Sequence, residues 1–157
     1  MTLIEVITAS GITALVFLVT ISALSVHRVQ QTKQHQHNVM LNYAIHYLEL
    51  VEGLDFAEIK KGAPINALYD GNNGAPGIFI PNNNAWIDLT ANDYLVFQPE
   101  LAWMSSFNPE MQVVLTVTQD SGEDYSKHLS LVMRWDAPLG RGGQLSKRMD
   151  LVRMRDG

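Results

Sequence analysis

At 157 residues and a formal net charge of −5, the chain lacks the clustered Lys and Arg that neutralising phosphates requires, so no nucleic acid is expected as a partner. The absence of cysteine excludes a disulfide-stapled fold, and 46% hydrophobic residues is ordinary for a globular protein rather than a disordered one. Once an N-terminal helix of about 50 residues is set aside, about 100 remain, which predicts one globular head.

The first element is an apolar helix. Residues 6–24 form an apolar run whose length, at 1.5 Å rise per residue, is about 28 Å and matches the roughly 30 Å hydrocarbon core of a bilayer. Met1-Thr2-Leu3-Ile4-Glu5-Val6 opens it, and Glu5 is its only charge. A cleaved secretory signal would carry basic residues ahead of a shorter apolar stretch and end at a small-residue cleavage site, whereas His27-Arg28-Val29-Gln30 continues in helix-permissive residues. A carboxylate near the start of a spanning helix costs about 2.5 to 3.5 kcal/mol, of which the helix dipole offsets up to about 2. Glu5 therefore reads as a functional residue, and an N-terminal amine is its obvious partner. Thr8, Ala9, Ser10, Gly11, Thr13, Ala14, Thr20, Ser22 and Ala23 make the helix rich in small residues. That composition suits close helix–helix approach, with Ser10, Gly11, Thr13 and Ala14 as the packing residues. The plainer alternative is a lone anchor whose hydroxyls bond to the carbonyl one turn back. Arg28 and Lys33, on the C-terminal side, would by themselves favour a cytoplasmic C-terminus.

The opening Met1-Thr2-Leu3-Ile4-Glu5 followed by a long apolar helix resembles the type IV pilin and pseudopilin superfamily. The resemblance is specific from Met1 through about Leu24 and architectural beyond. It implies that Met1 is the mature terminus, produced and methylated by a prepilin peptidase. It further implies that Glu5 neutralises the Met1 amine of an adjacent subunit and so fixes axial register, because a misaligned copy buries an unpaired charge. The function it implies is a structural subunit of a type IV pilus-like helical filament. Partners would be further copies or related pilins, the inner membrane before assembly, and the peptidase and assembly machinery. The location would be the inner membrane and then an extracellular filament or a periplasmic pseudopilus. Met in place of the usual Phe at position 1 resembles certain minor pilins and pseudopilins, and the lack of cysteine points toward pseudopilins, minor pilins or cysteine-free filament subunits. A membrane-anchored binding module is the rival from another class.

Residues 30–38 are polar all round and predict an exposed helical neck. Val39, Met40, Tyr43, Ala44, Tyr47, Leu48, Val51 and Leu54 then recur three and four apart, the stripe of an amphipathic helix that Gly53 would end. The expected organisation is 1–26 as the membrane and filament-core helix, 27–53 as its amphipathic extension and 54–157 as the head. Asp70-Gly71-Asn72-Asn73-Gly74 and Asn82-Asn83-Asn84 mark turns, with short strands expected at 77–80 and 94–98. Alternation over 111–119, 127–135 and 144–154, with turns at 120–124 and 139–143, predicts a three-stranded antiparallel meander. Its apolar face would comprise Val113, Leu115, Val117, Leu129, Leu131, Met133, Leu151 and either Trp135 or Leu145. Lys147, Arg148, Arg153 and Arg155 would line an exposed face. The fold expected is α+β, a long N-terminal helix on a small antiparallel sheet, the pilin ladle.

No cofactor, metal or enzymatic activity is expected. Asp70, Asn72 and Asp88 are oxygen donors of the kind calcium takes, yet the twelve-residue calcium-loop pattern is absent. His35 and His37 are two apart and face different sides of a helix, while His27, His46 and His128 stand at no ligand spacing. No nucleophile elbow, phosphate loop or zinc-protease motif occurs, and Ser105, Ser106 and Ser121 are loop serines without a patterned histidine.

Overall fold

A computed structural model describes residues 2–65, 77–138 and 143–155. It has an α+β architecture built from α1 (Leu3–Glu52), β1 (Ile87–Asp88), α2 (Asn92–Phe97), a 3₁₀ helix (Pro99–Phe107), β2 (Glu110–Asp120), β3 (Glu123–Asp136) and β4 (Gln144–Met154). Two compact units divide the chain, Met1–His35 and Gln36–Gly157.

The second unit contains the sheet, in order β1-β2-β3-β4 with every pairing antiparallel. The registers Val113↔Leu131, Leu115↔Leu129, Leu129↔Leu151 and Trp135↔Leu145 put the apolar set on one face. Trp135 and Leu145 are thus opposite each other and both belong to the core layer. At the β2–β3 hairpin, Asp120 pairs with Glu123, leaving a two-residue turn of Ser121 (φ 54°) and Gly122 (φ 87°). Positive φ at both positions is the geometry whose twist matches a right-handed hairpin, and glycine adopts it without strain. The expected meander forms as read, with β4 at the expected residues and the ends of β2 and β3 one to four residues longer than the alternation implied.

The helical stripe packs on that face. Val39, Met40, Tyr43, Ala44, Tyr47, Leu48 and Val51 are all buried, together with Ile59, Ile65, Ile78, Ile80, Leu89, Leu101 and Met104. Burial of Tyr43 and Tyr47 pushes both phenol pKa values well above their ordinary range, and Tyr47 still donates its hydroxyl hydrogen to the Phe79 carbonyl at 3.1 Å. The last turn of α1 carries no basic residue of its own. The sheet supplies the cations that complement the helix C-terminus: Arg153 donates to the Glu52 carbonyl, and the buried Lys127 donates to the Phe56 carbonyl at 2.7 Å while lying 4.6 Å from the Phe56 ring centroid.

Five expectations need correction. Residues 94–98 are not a strand: Tyr94 to Phe97 belong to α2, where local β-propensity gives way to the closure of a short turn against the 3₁₀ helix. Residues 77–80 form only an isolated bridge, Pro64↔Phe79. Val117 is 39% exposed because the far end of β2 lies outside the helix-packed core. Arg153 turns toward α1 instead of lining an exposed face, whereas Lys147, Arg148 and Arg155 are exposed as expected. Gln36, read as an exposed neck residue, is fully buried. Its Nε2 donates to the Asp136 carbonyl at 3.3 Å, whereas its Oε1 and the Trp135 indole N–H are both buried without a partner. The turn read at 70–74 lies outside the described residues, as does that at 139–143 except for Gly143.

Candidate functional site

α1 runs unbroken from Leu3 to Glu52, and its apolar portion is long and apolar enough to cross a membrane. The residues of that portion are exposed all round: Leu3 is 78% exposed, Ile12 64%, Phe17 68% and Leu24 57%. Soluble surfaces rarely display contiguous apolar area on this scale, so the segment is suited to hydrocarbon or to other helices rather than to water. By length and composition it could span a bilayer.

The helix begins with a reciprocal pair. Thr2 stands just before α1 and accepts a hydrogen bond from the Glu5 amide through Oγ1 at 3.4 Å, while Glu5 Oε2 accepts the Thr2 amide hydrogen at 2.7 Å. This is a capping box: a threonine at the N-cap and a glutamate three residues on, each satisfying the other's free N–H. The Thr-x-x-Glu spacing that announces such a box is visible in the sequence, yet a reading centred on the charge of Glu5 passes over it. Glu5 thus has a partner within its own chain, and its second carboxylate oxygen keeps acceptor capacity. Met1, the other residue expected in assembly, lies outside the described residues.

Five hydroxyls along the N-terminal part of α1 are also satisfied locally. Thr8 donates to the Ile4 carbonyl at 2.6 Å, Ser10 to Val6 at 2.5 Å, Thr13 to Ala9 at 2.8 Å, Thr20 to Val16 at 2.8 Å and Ser25 to Ile21 at 2.9 Å. Within a single chain, then, the hydroxyls make the back-bonds of a lone anchor. Each of these bonds can be exchanged for a bond to a neighbouring helix. Ser10, Gly11, Thr13 and Ala14 are all exposed. At about 100° per residue they occupy a broad arc of the circumference rather than a single line, and Thr8 and Ala9 widen it into a collar. A Cβ added at Gly11 would meet nothing within 4 Å, so nothing in this chain's own fold requires glycine there.

Elsewhere, the polar side chains hold structure. Asp88 Oδ1 accepts both the Thr90 amide at 2.8 Å and the Thr90 hydroxyl at 2.7 Å, an Asx turn. Asp70 and Asn72 lie outside the described residues. His27 is 2.9 Å from Gln31 Nε2, and His128 is 3.1 Å from Asp150 Oδ1. Among the described residues no three His, Cys, Asp or Glu side chains gather as a metal site. Among the described residues Asp150 is the most connected acid: hydrogen bonds from Arg148 hold its carboxyl below the ordinary range against partial desolvation, helped by Ser130 and His128. Of the three tryptophans, Trp135 is in the core, Trp86 lies 3.7 Å beneath the Arg134 guanidinium and Trp103 packs against Phe107 at 5.4 Å.

Comparison with known protein families, with curated proteins and with solved structures finds no match to this chain.

Proposed function

We propose that this protein is a structural subunit of a type IV pilus-like helical filament, held in the inner membrane by α1 and then drawn into a polymer through it. The observation that carries the reading is the contrast along one helix. From residue 39 onward the apolar stripe of α1 is buried under the head, whereas its N-terminal portion is apolar and exposed on every side. A chain that closes its own core and leaves such a helix bare needs either lipid or copies of that helix. The head's alternating sheet, with Asp150 tied to Arg148 on its surface, fits a coat. A minor pilin or secretion pseudopilin is the same reading at a shorter fibre length.

In this reading, the Glu5 charge compensates the Met1 amine of the next copy, and the collar of Ser10, Gly11, Thr13 and Ala14 allows close helix approach. Since Glu5 is also half of a capping box, Glu5→Ala would confound register with helix winding. Glu5→Gln does not, because glutamine serves equally well as the third residue of such a box. The test is electron microscopy of shear fractions from cells carrying wild type or Glu5→Gln as the sole copy, at equal membrane levels. Filaments from wild type and none from Glu5→Gln support charge-set register. Filaments from both would remove Glu5 from that role, and filaments from neither would leave a minor subunit or a membrane-anchored binding module.

A further inference from the structure

Among the described residues, the meander has two unpaired edges of unequal character. Among the described residues, β1 pairs with β2 only opposite Glu110 and Met111, so no strand lies beside β2 from Gln112 to Asp120. This stretch is exposed from Thr116 onward, contains Val113-Val114-Leu115-Thr116-Val117-Thr118, and carries no charge from Met111 to Gln119. Long, uncharged, β-branched edge strands offer a row of free N–H and C=O groups to any extended chain, and proteins ordinarily blunt them with charge, proline or a bulge. Here the only such device is the irregularity at Thr118/Gln119, near the tip. β4, eleven residues long, is the opposite edge. Of its cations, Arg148 is committed to Asp150 and Arg153 to the Glu52 carbonyl, while Lys147 is exposed.

We propose that the uncovered edge of β2 receives β4 of a second copy of this chain, extending the sheet from head to head. Strand polarity selects this occupant over a β2–β2 pair. β2 and β4 are each antiparallel to β3 and therefore parallel to each other, so joining β4 to a neighbour's β2 keeps both copies in one orientation. A symmetric antiparallel β2–β2 pair would reverse the direction of the Gln36–Glu52 part of α1 between the two copies, which a filament of like-oriented subunits does not allow. The β2–β4 contact is also heterologous and does not close on itself, so it propagates. The orientation step rests on the filament reading above; the uncovered edge does not.

The chain has no cysteine, so introduced thiols are the only ones present. Thr116 shares a sheet face with Ser146, Arg148, Asp150 and Val152, because it is registered with His128, which is registered with Val152. The experiment places Thr116→Cys in the full chain with Ser146→Cys, Arg148→Cys, Asp150→Cys or Val152→Cys in turn, followed by mild oxidation of intact cells. One or two neighbouring combinations should give a ladder of dimers, trimers and higher species, and Thr116→Cys alone should give none. Dimers from Thr116→Cys alone, stopping at dimers, would overturn the proposal in favour of symmetric pairing. Absence of a ladder from every combination would overturn edge pairing altogether. Ladders without filaments would sink the filament reading and leave the edge contact standing, whereas filaments without ladders would do the reverse.

Discussion

The Glu5 carboxylate reaches back 2.7 Å to the Thr2 amide, so the residue that looks like an isolated membrane acid is already tied into the winding of its own helix. In the filament reading proposed above, the same geometry would let it serve two ends. One oxygen closes the first turn, and the charge stays near the helix N-terminus, where the dipole favours it and where an amine from another copy would find it. The two contributions can be separated by which atom is removed.

Thr2→Val removes the hydroxyl that accepts the Glu5 amide but leaves the Thr2 amide bond to Glu5 Oε2 and the charge intact. Loss of a threonine N-cap costs about 1 kcal/mol. Amide exchange at Glu5 in detergent micelles should therefore rise about fivefold, with exchange in the second unit unchanged. Unchanged exchange at Glu5 would mean the capping box contributes nothing in an apolar medium.

Gly11→Ala separates the chain's own stability from assembly. No atom stands within 4 Å of the added methyl, and alanine is favoured over glycine within a helix by about 0.8 to 1.0 kcal/mol. The isolated chain in micelles should thus become more helical and slightly more stable. If copies approach closely at this collar, the same methyl should reduce filament yield. A gain on both counts would remove Gly11 from the packing surface.

Much of the head was legible because its elements follow simple periods. Strand alternation placed β2, β3 and β4, and three-four spacing placed every buried residue of α1 from Val39 to Val51. The misreadings share a cause: local chemistry was taken as decisive where tertiary position decides. Gln36 lies four residues before Met40 and seven before Tyr43, squarely on the buried stripe, but its polarity argued for solvent. Tyr94, Leu95, Val96 and Phe97 are strand formers by propensity, yet they are wound into a six-residue helix. β1, with two residues, is too short to show any period. On α1, small residues and Glu5 were legible, but the capping role of Glu5 was hidden behind the more conspicuous question of its charge.

The buried Gln36 amide yields a prediction opposite to the usual one for a core substitution. Its Oε1 has no partner, its single bond to Asp136 is long, and an unsatisfied buried acceptor costs about 1 to 3 kcal/mol. Gln36→Met, close in shape and without polar atoms, should be neutral or raise the denaturation midpoint of the second unit. Trp135→Ala, at the same end of the core, should instead lose about 3 to 5 kcal/mol through the cavity it leaves. A large loss from Gln36→Met would show that the amide has a compensating partner in solution.

Alkaline pH should test the helix–sheet core directly. Tyr43 and Tyr47 have phenol pKa values raised mainly by burial, whereas in the unfolded chain both titrate near the ordinary value of 10.0. A folded pKa above the unfolded one means that the folded state retains its protons while the unfolded state releases them. The contribution is thus fully present below about pH 10 and is lost progressively as pH rises beyond it. Unfolding followed by tyrosinate absorbance should be cooperative, the buried phenols ionising only as the core opens. Tyr47→Phe removes one of these protons at the cost of a bond to the Phe79 carbonyl, so it should lower stability at neutral pH yet flatten the alkaline decline. Early, non-cooperative ionisation of both phenols would show that α1 does not seal this face of the sheet.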